Sequence, residues 1–243
     1  MKLIQTVRVL AFSALVVIPA HAMFIQIQTQ KVPVARLVSN LEKQIADKPT
    51  NASLQSTLAR LHSMAYAQKA EQLEAVSKNQ PRGGVQRIPP TEKVEPAPDD
   101  AATLGSLEPW FGYTDRDHPP RQIKKGVTPE VEAEAKKHLQ LAIAGYEKAL
   151  TLDPKHLASR LGLGWCYDQS GDKTNALTHY RMAITQAWAK EGKSAVGGMD
   201  TPITSETVDY MLPLLNPTKD ADEITQLKEY KARTARVSPS RAV

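Results

Sequence analysis

The sequence predicts an all-α protein built from a short stack of antiparallel helix pairs. Three observations lead to this fold class. Ala, Leu, Lys, Glu and Gln dominate the composition, and these residues favour helix. Apolar residues recur at three- and four-residue spacings over much of the chain, which is the period of one helix face. Pro, Gly and Asn interrupt the pattern at short intervals, so that successive helices turn back on each other.

Residues 1–22 have the pattern of a secretory signal peptide. Lys2 and Arg8 supply positive charge, and Val9 to Ile18 form a short apolar run. The small residues of Ala20-His21-Ala22 fit a signal-peptidase site. We therefore expect cleavage after residue 22 and an exported protein, periplasmic or secreted. The apolar run is short for a membrane span, and an uncleaved membrane anchor is the alternative.

Residues 23–78 predict a helical hairpin. The helical pattern runs from Pro33 to about Lys78 and is broken once, where Pro49 ends one helix and Asn51 caps the next. Each helix carries one apolar stripe. The stripes consist of Val34, Leu37, Val38, Leu41 and Ile45, and of Leu54, Leu58, Leu61 and Ala65.

Residues 79–127 predict an inserted loop or linker. Nine of the seventeen prolines fall between residues 79 and 129, and no apolar period survives there. Such a composition favours an extended chain. The segment Trp110-Phe111-Gly112-Tyr113 is the exception, because three aromatic rings in four residues are expected to dock on the helical body.

Residues 128–191 are helical in pattern again. Thr128 can cap a helix that begins at Pro129. We expect helices over 129–152, 155–170 and 173–191, separated by Asp153-Pro154 and Gly171. Two further helices, over 205–215 and 221–236, form a capping region within residues 192–236, and residues 237–243 form a tail.

A period of 34 residues connects two of these helices. Ala142, Tyr146, Ala149 and Leu150 recur as Ala176, Tyr180, Ala183 and Ile184. This is the length of a tetratricopeptide repeat, a pair of antiparallel helices. Residues 157–190 resemble one full repeat of this family, since Leu163-Gly164 matches the Leu-Gly pair of its first helix and Tyr167 matches the aromatic residue three positions later.

The resemblance also has departures. Arg160 stands at the first aromatic position of the family and Trp188 at its closing proline, so we expect the stack to end here, with Trp188 packed against the chain segment C-terminal to it. Residues 41–49 echo 146–154, and Leu58-Ala59 echoes Leu163-Gly164 with an offset of 105. The hairpin over 23–78 is thus expected to be a degenerate copy, with the insert in the place of missing repeats.

The resemblance implies a protein-binding groove lined by the first helices of the repeats. The groove positions of the full repeat are Ala158, Leu161, Trp165, Asp168 and Gln169. In the N-terminal copy they are Ser53, Ser56, Arg60, Ser63 and Met64. Trp165 is the expected anchor for a partner. The alternative is that the insert or the C-terminal helices fill the groove.

Charge and motifs argue against other function classes. The formal charge is +5, but the leader carries two of the positive charges and the last eighteen residues a net four, which leaves −1 for residues 23–225. Such a body does not attract nucleic acid. The single Cys166 excludes an internal disulfide and Cys-based metal motifs, and it is expected to be packed and inert.

We find no catalytic motif, no cofactor motif and no metal motif in the sequence. Asp115-Arg116-Asp117-His118 is read as a solvated turn, and the other histidines as scattered surface or core residues. The sequence thus favours a non-catalytic scaffold or adaptor for an unidentified protein or peptide. The alternatives are a membrane-associated assembly factor with an uncleaved N-terminus, and, with least support, an enzyme with its site in the insert.

Overall fold

A computed structural model describes residues 29–76, 119–120, 123–191 and 202–237 of the chain. This part is mostly helical, as the sequence predicts. Its elements are β1 (Thr29–Pro33), α1 (Val34–Asp47), α2 (Ala52–Gln68), β2 (Gln72–Val76), α3 (Pro129–Leu152), α4 (Leu157–Ser170), α5 (Lys173–Glu191), α6 (Ile203–Met211), a 3-10 turn (Leu212–Leu214) and α7 (Ala221–Val237). No helix within these ranges is long and apolar enough to cross a membrane.

Side chains cap the starts of two helices at the predicted residues. The Asn51 carboxamide oxygen accepts a hydrogen bond from the Leu54 amide at 3.1 Å, at the start of α2. The Thr128 hydroxyl accepts from the Val131 amide at 3.5 Å, at the start of α3. Gly171 ends α4 with φ 84°, a left-handed conformation that glycine adopts without steric cost.

The strand pair is a departure from the all-α prediction. β1 and β2 are antiparallel, from Thr29 opposite Val76 to Pro33 opposite Gln72. The helix expected to reach about residue 78 ends at Gln68, because Lys69 takes a left-handed conformation with φ 49°. The two strands therefore close the open end of the α1–α2 hairpin.

The principal partner of α2 is α3, on the other side of the insert. Ala59 lies against Gly145, and the Lys69 ammonium pairs with the Glu132 carboxylate at 3.1 Å. These contacts run antiparallel. The insert therefore separates two helices that pack on each other, and the expectation that it replaces whole repeats is wrong.

The chain returns from the insert directly to the end of α2. The Lys124 amide donates to the Ala67 carbonyl at 2.7 Å, and Ile123 packs against the main core. Together with the Lys69–Glu132 ion pair, this contact holds the end of α2 beside the start of α3.

Two pairs of helices lie side by side in parallel. Between α2 and α4, the Ser53 hydroxyl lies 3.3 Å from His156 Nε2 and the Ser63 hydroxyl 3.5 Å from Cys166 Sγ, with the same sequence separation of 103. Because the sequence separation between contacting residues is the same at Ser53 and ten residues later at Ser63, the axes of the two helices run parallel. These helices form one layer of the fold.

The second parallel pair, α5 and α7, lies in the other layer. The Arg181 guanidinium binds the Glu223 carboxylate through two bonds of 2.7 Å. The Trp188 ring stacks on the Tyr230 ring at 4.2 Å between centroids. Both contacts span 42 residues. The prediction that Trp188 packs against the chain segment C-terminal to it is confirmed.

Gly164 allows the close approach of α4 and α5. A Cβ at this position would lie 2.7 Å from Cδ1 of Tyr180, and the Tyr180 ring is buried and stacked on Tyr210. Because the ring cannot withdraw, we expect Gly164→Val to lower the free energy of unfolding by about 2 kcal/mol. Urea denaturation measures this loss. Ala144→Val, at an exposed position of α3, is the control, and an equal loss in both variants would contradict the steric argument.

Candidate functional site

The structure places the six predicted groove residues in two environments. Leu161 is 0%, Trp165 2% and Arg60 8% exposed. Ala158, Asp168 and Gln169 are half-buried and keep access to solvent. The expectation that Trp165 and Leu161 line an open groove therefore needs correction, because both are core residues.

Trp165 is covered by its neighbours from α2. The Tyr66 ring meets the indole edge-on at 6.0 Å between centroids and 76° between planes. The Lys69 ammonium lies 3.9 Å from the centroid of the same Tyr66 ring, a distance at which a cation is attracted to an aromatic face. The indole therefore joins α4 to α2 and is not presented to a partner.

The groove positions of α2 are also mostly covered. Ser56 and Met64 are buried, and Ser63 is completely buried where its hydroxyl faces Cys166. Met64 belongs to the smaller core cluster, which α1, α2 and the strands share. Ser53 alone is exposed, and its hydroxyl contacts His156. α1 and α4 thus cover most of the surface of α2 that was expected to line an open groove.

The C-terminal end of α4 keeps an accessible polar surface. Burial raises the pKa of the Asp168 carboxyl, because a charge is costly in a poorly solvated position. Gln169 lies next to it, and both are half-buried. Asp172, just beyond, accepts a hydrogen bond from the Asn175 amide at 3.0 Å and caps α5. This end of α4 combines hydrogen-bonding groups with partial burial, which suits a polar contact to a partner.

The α5–α6 junction is a polar contact that the sequence did not predict. The Glu191 carboxylate accepts from the amides of Ile203 and Thr204, both at 2.9 Å. These amides begin α6, where a carboxylate is stabilised by the helix dipole. Among the described residues the buried Tyr180 hydroxyl has no hydrogen-bond partner, and the Tyr210 hydroxyl donates to Glu206 at 3.0 Å.

The structure brings together two histidines that appear unrelated in the sequence. Nδ1 of His62 in α2 lies 3.0 Å from Nδ1 of His138 in α3. Burial, and secondarily the charge of His138, lowers the pKa of His62 to about 4. Burial also lowers the pKa of His138. No local signal could identify this pair, because it depends on the α2–α3 contact across the insert.

The remaining described histidines have structural partners. His156 Nδ1 accepts from the Ser159 amide at 3.3 Å and so caps α4. The His179 ring stacks on Tyr167 at 5.5 Å between centroids. Each of these rings therefore helps to fix a helix end or a helix contact.

Cys166 is packed, as predicted. Its side chain is completely buried, and burial raises the pKa of the thiol to about 12. The thiolate is the reactive form of cysteine, so this environment keeps the group unreactive at neutral pH.

Several predicted features lie outside the described residues. These are the leader, the aromatic segment at Trp110 and the acidic turn from Asp115 to His118. Within the described ranges, no three His, Cys, Asp or Glu side chains converge as a metal site. No protein-family model matches the chain, and no curated protein and no solved structure is significantly similar to it.

Proposed function

We propose that the chain is a non-catalytic scaffold of the tetratricopeptide-repeat type that binds a protein or peptide partner. One observation carries the proposal. The helix pairs α2–α3 and α4–α5 use equivalent contacts in the register of the sequence repeat. Stacked helix pairs of this kind usually serve as binding scaffolds.

The equivalence rests on close approaches at the two helix crossings, where one residue of each contact is a glycine. A Cβ at Gly145 would lie 2.9 Å from Ala59 Cβ, and a Cβ at Gly164 would lie 3.4 Å from His179 Cβ. The offset of 105 relates Ala59 to Gly164, and the offset of 34 relates Gly145 to His179. The same pair of offsets thus maps one crossing onto the other, although the insert interrupts only the first helix pair.

The next helix in the stack gives a second correspondence. A Cβ at Gly162 would lie 2.3 Å from Cζ of Tyr146, so the Tyr146 ring packs on α4. Tyr180, one period later, stacks on Tyr210 of α6 with 5.8 Å between centroids. Each tyrosine therefore contacts the helix that comes after its own, as expected for a repeated unit.

The partner surface that we propose is the solvent-accessible end of α4. Leu161 and Trp165 are interior, which removes the apolar anchor expected from the sequence. Asp168 and Gln169 retain access to solvent and carry polar groups. Ala158 is also half-buried, but it lies at the start of the helix and carries no polar group. A partner with hydrogen-bond donors or positive charge fits this surface best.

Export is part of the proposal and rests on the leader. Membrane attachment through the basic C-terminal region has less support, because its cations also serve packing: Lys231 binds Asp209, and the Arg233 guanidinium lies 5.9 Å from the centroid of the Trp188 ring. N-terminal sequencing of the exported protein tests this point. A mature chain that begins at Met23 is expected, and a chain that retains Lys2 would support the membrane-anchored alternative.

Site-specific photo-crosslinking tests the binding surface. We expect a benzophenone amino acid at Gln169 to crosslink a defined partner in cell-envelope extract, in competition with unmodified protein. The same probe at Lys148, exposed on α3, is the matched control and is expected to give no such product. Identical products from both positions, or none from Gln169, would overturn the assignment of this surface.

A further inference from the structure

His62 and His138 form a preorganised pair of imidazoles. Their Nδ1 atoms are 3.0 Å apart, and the rings are nearly parallel, with an angle of 26° and a centroid distance of 5.1 Å. His62 lies on α2 and His138 on α3, helices that pack antiparallel along their length. The backbone of two helices therefore fixes the distance between the nitrogens.

We propose that His62 and His138 bind one divalent transition-metal ion of the Cu²⁺ or Ni²⁺ class through their Nδ1 atoms. Imidazole nitrogen binds such ions at about 2.0–2.1 Å. Two nitrogens 3.0 Å apart then subtend an angle of roughly 90° at the metal. This is the angle between adjacent ligands in square-planar and octahedral complexes, which Cu²⁺ and Ni²⁺ prefer, whereas tetrahedral Zn²⁺ requires a wider angle.

Metal binding would replace an existing contact between the two rings. In the metal-free protein the two Nδ1 atoms share a hydrogen bond, so one of them carries a proton. When a metal binds, that ring instead carries its proton on Nε2, so both Nδ1 atoms offer the lone pair that the metal requires.

Water would complete the coordination sphere. In the part of the chain that the structure describes, no third His, Cys, Asp or Glu converges with the pair. A site with two protein ligands and open positions binds its metal reversibly and leaves room for a further ligand. Binding across α2 and α3 also joins the two sides of the insert, so the metal is expected to stabilise this contact.

Metal titration of the untagged full chain at pH 7.5 tests the proposal. Isothermal titration with Cu²⁺ and with Ni²⁺ is expected to show about one bound ion per chain and a raised Tm. His138→Gln is expected to weaken binding at least about tenfold. His179→Gln is the matched control, because His179 is half-buried as well but stacks on Tyr167, and it is expected to bind like the wild type.

The spectrum of the Cu²⁺-loaded protein provides a readout that does not depend on a variant. Electron spin-echo modulation is expected to show two coordinated imidazoles in the wild type and fewer in His138→Gln. Circular dichroism checks that the variants fold. A wild-type chain without stoichiometric binding, a Cu²⁺ spectrum without two imidazoles, or undiminished affinity in folded His138→Gln would each overturn the proposal.

Discussion

Replacing Trp165 with alanine is expected to lower the free energy of unfolding by about 4 kcal/mol. The indole is 2% exposed and contacts Tyr66 of the neighbouring helix. Its removal leaves a cavity between α2 and α4 and forfeits the transfer free energy of a large apolar group. Urea denaturation followed by far-UV circular dichroism measures the loss.

Two other variants test whether the loss of stability comes from the buried indole of Trp165. Trp165→Phe keeps a ring in the site and is expected to lose roughly half as much. Trp188→Ala removes a half-buried indole that stacks on Tyr230, and its cost is expected to be smaller because less apolar surface returns to water. If Trp165→Ala retains wild-type stability but no longer crosslinks its partner, Trp165 is a contact residue and our placement of it is wrong.

Trp165 also illustrates which part of the site could be predicted. The spacing of Ala142, Tyr146, Ala176 and Tyr180 predicts helix pairs, and apart from the early end of α2 the described helices have the expected bounds within a few residues. Exposure is a different property. It depends on which helices cover a position, and the contact between Tyr66 and Trp165 spans 99 residues and a long insert.

The strand pair shows a limit of local patterns. Gln68 to Val76 consists largely of residues with good helix propensity, so the apolar pattern predicts a longer helix. α2 ends instead at Lys69, a lysine in a left-handed conformation where glycine or asparagine is the usual signal. The pairing of β1 with β2 joins residues some forty positions apart in the sequence. It is a tertiary contact, and the sequence of either strand alone does not predict it.

The position of the insert changes how the repeat should be understood. The sequence predicts that the hairpin before the insert is a repeat unit of its own. In the structure the most extensive helix contact, that of α2 with α3, joins the two sides of the insert, so the insertion lies inside a helix pair. The Lys69–Glu132 ion pair and the Lys124–Ala67 hydrogen bond at its base explain how two helices so distant in sequence remain packed.

The burial of His62 beside His138 predicts that the fold loses stability in mild acid. Burial, followed by the charge of His138, lowers the pKa of His62 from 6.5 to about 4. Above pH 6.5 the imidazole is neutral in both the folded and the unfolded state, and its contribution is fully present. As the pH falls from 6.5 to 4, only the unfolded chain takes up the proton. The folded state therefore loses about 3 kcal/mol relative to the unfolded state over this window.

Other titratable groups also change the free energy of unfolding in this pH range or below it. The pKa of His138 and that of His179 are also lowered, chiefly by burial, and these groups add to the loss with the same sign. The pKa of Asp168 is raised by burial, so its protonation in the folded state opposes the loss near pH 4. The interval from pH 6.5 to 5 is therefore the one in which the histidines dominate.

Urea denaturation at intervals from pH 7.5 to 5 is expected to show a falling free energy of unfolding, with a shallower slope in His62→Gln. Nuclear magnetic resonance titration of the imidazole protons gives the pKa directly, and the spectrum of His62→Gln assigns the signal. A His62 midpoint near 6.5, or the same pH slope in the variant and the wild type, would contradict this account.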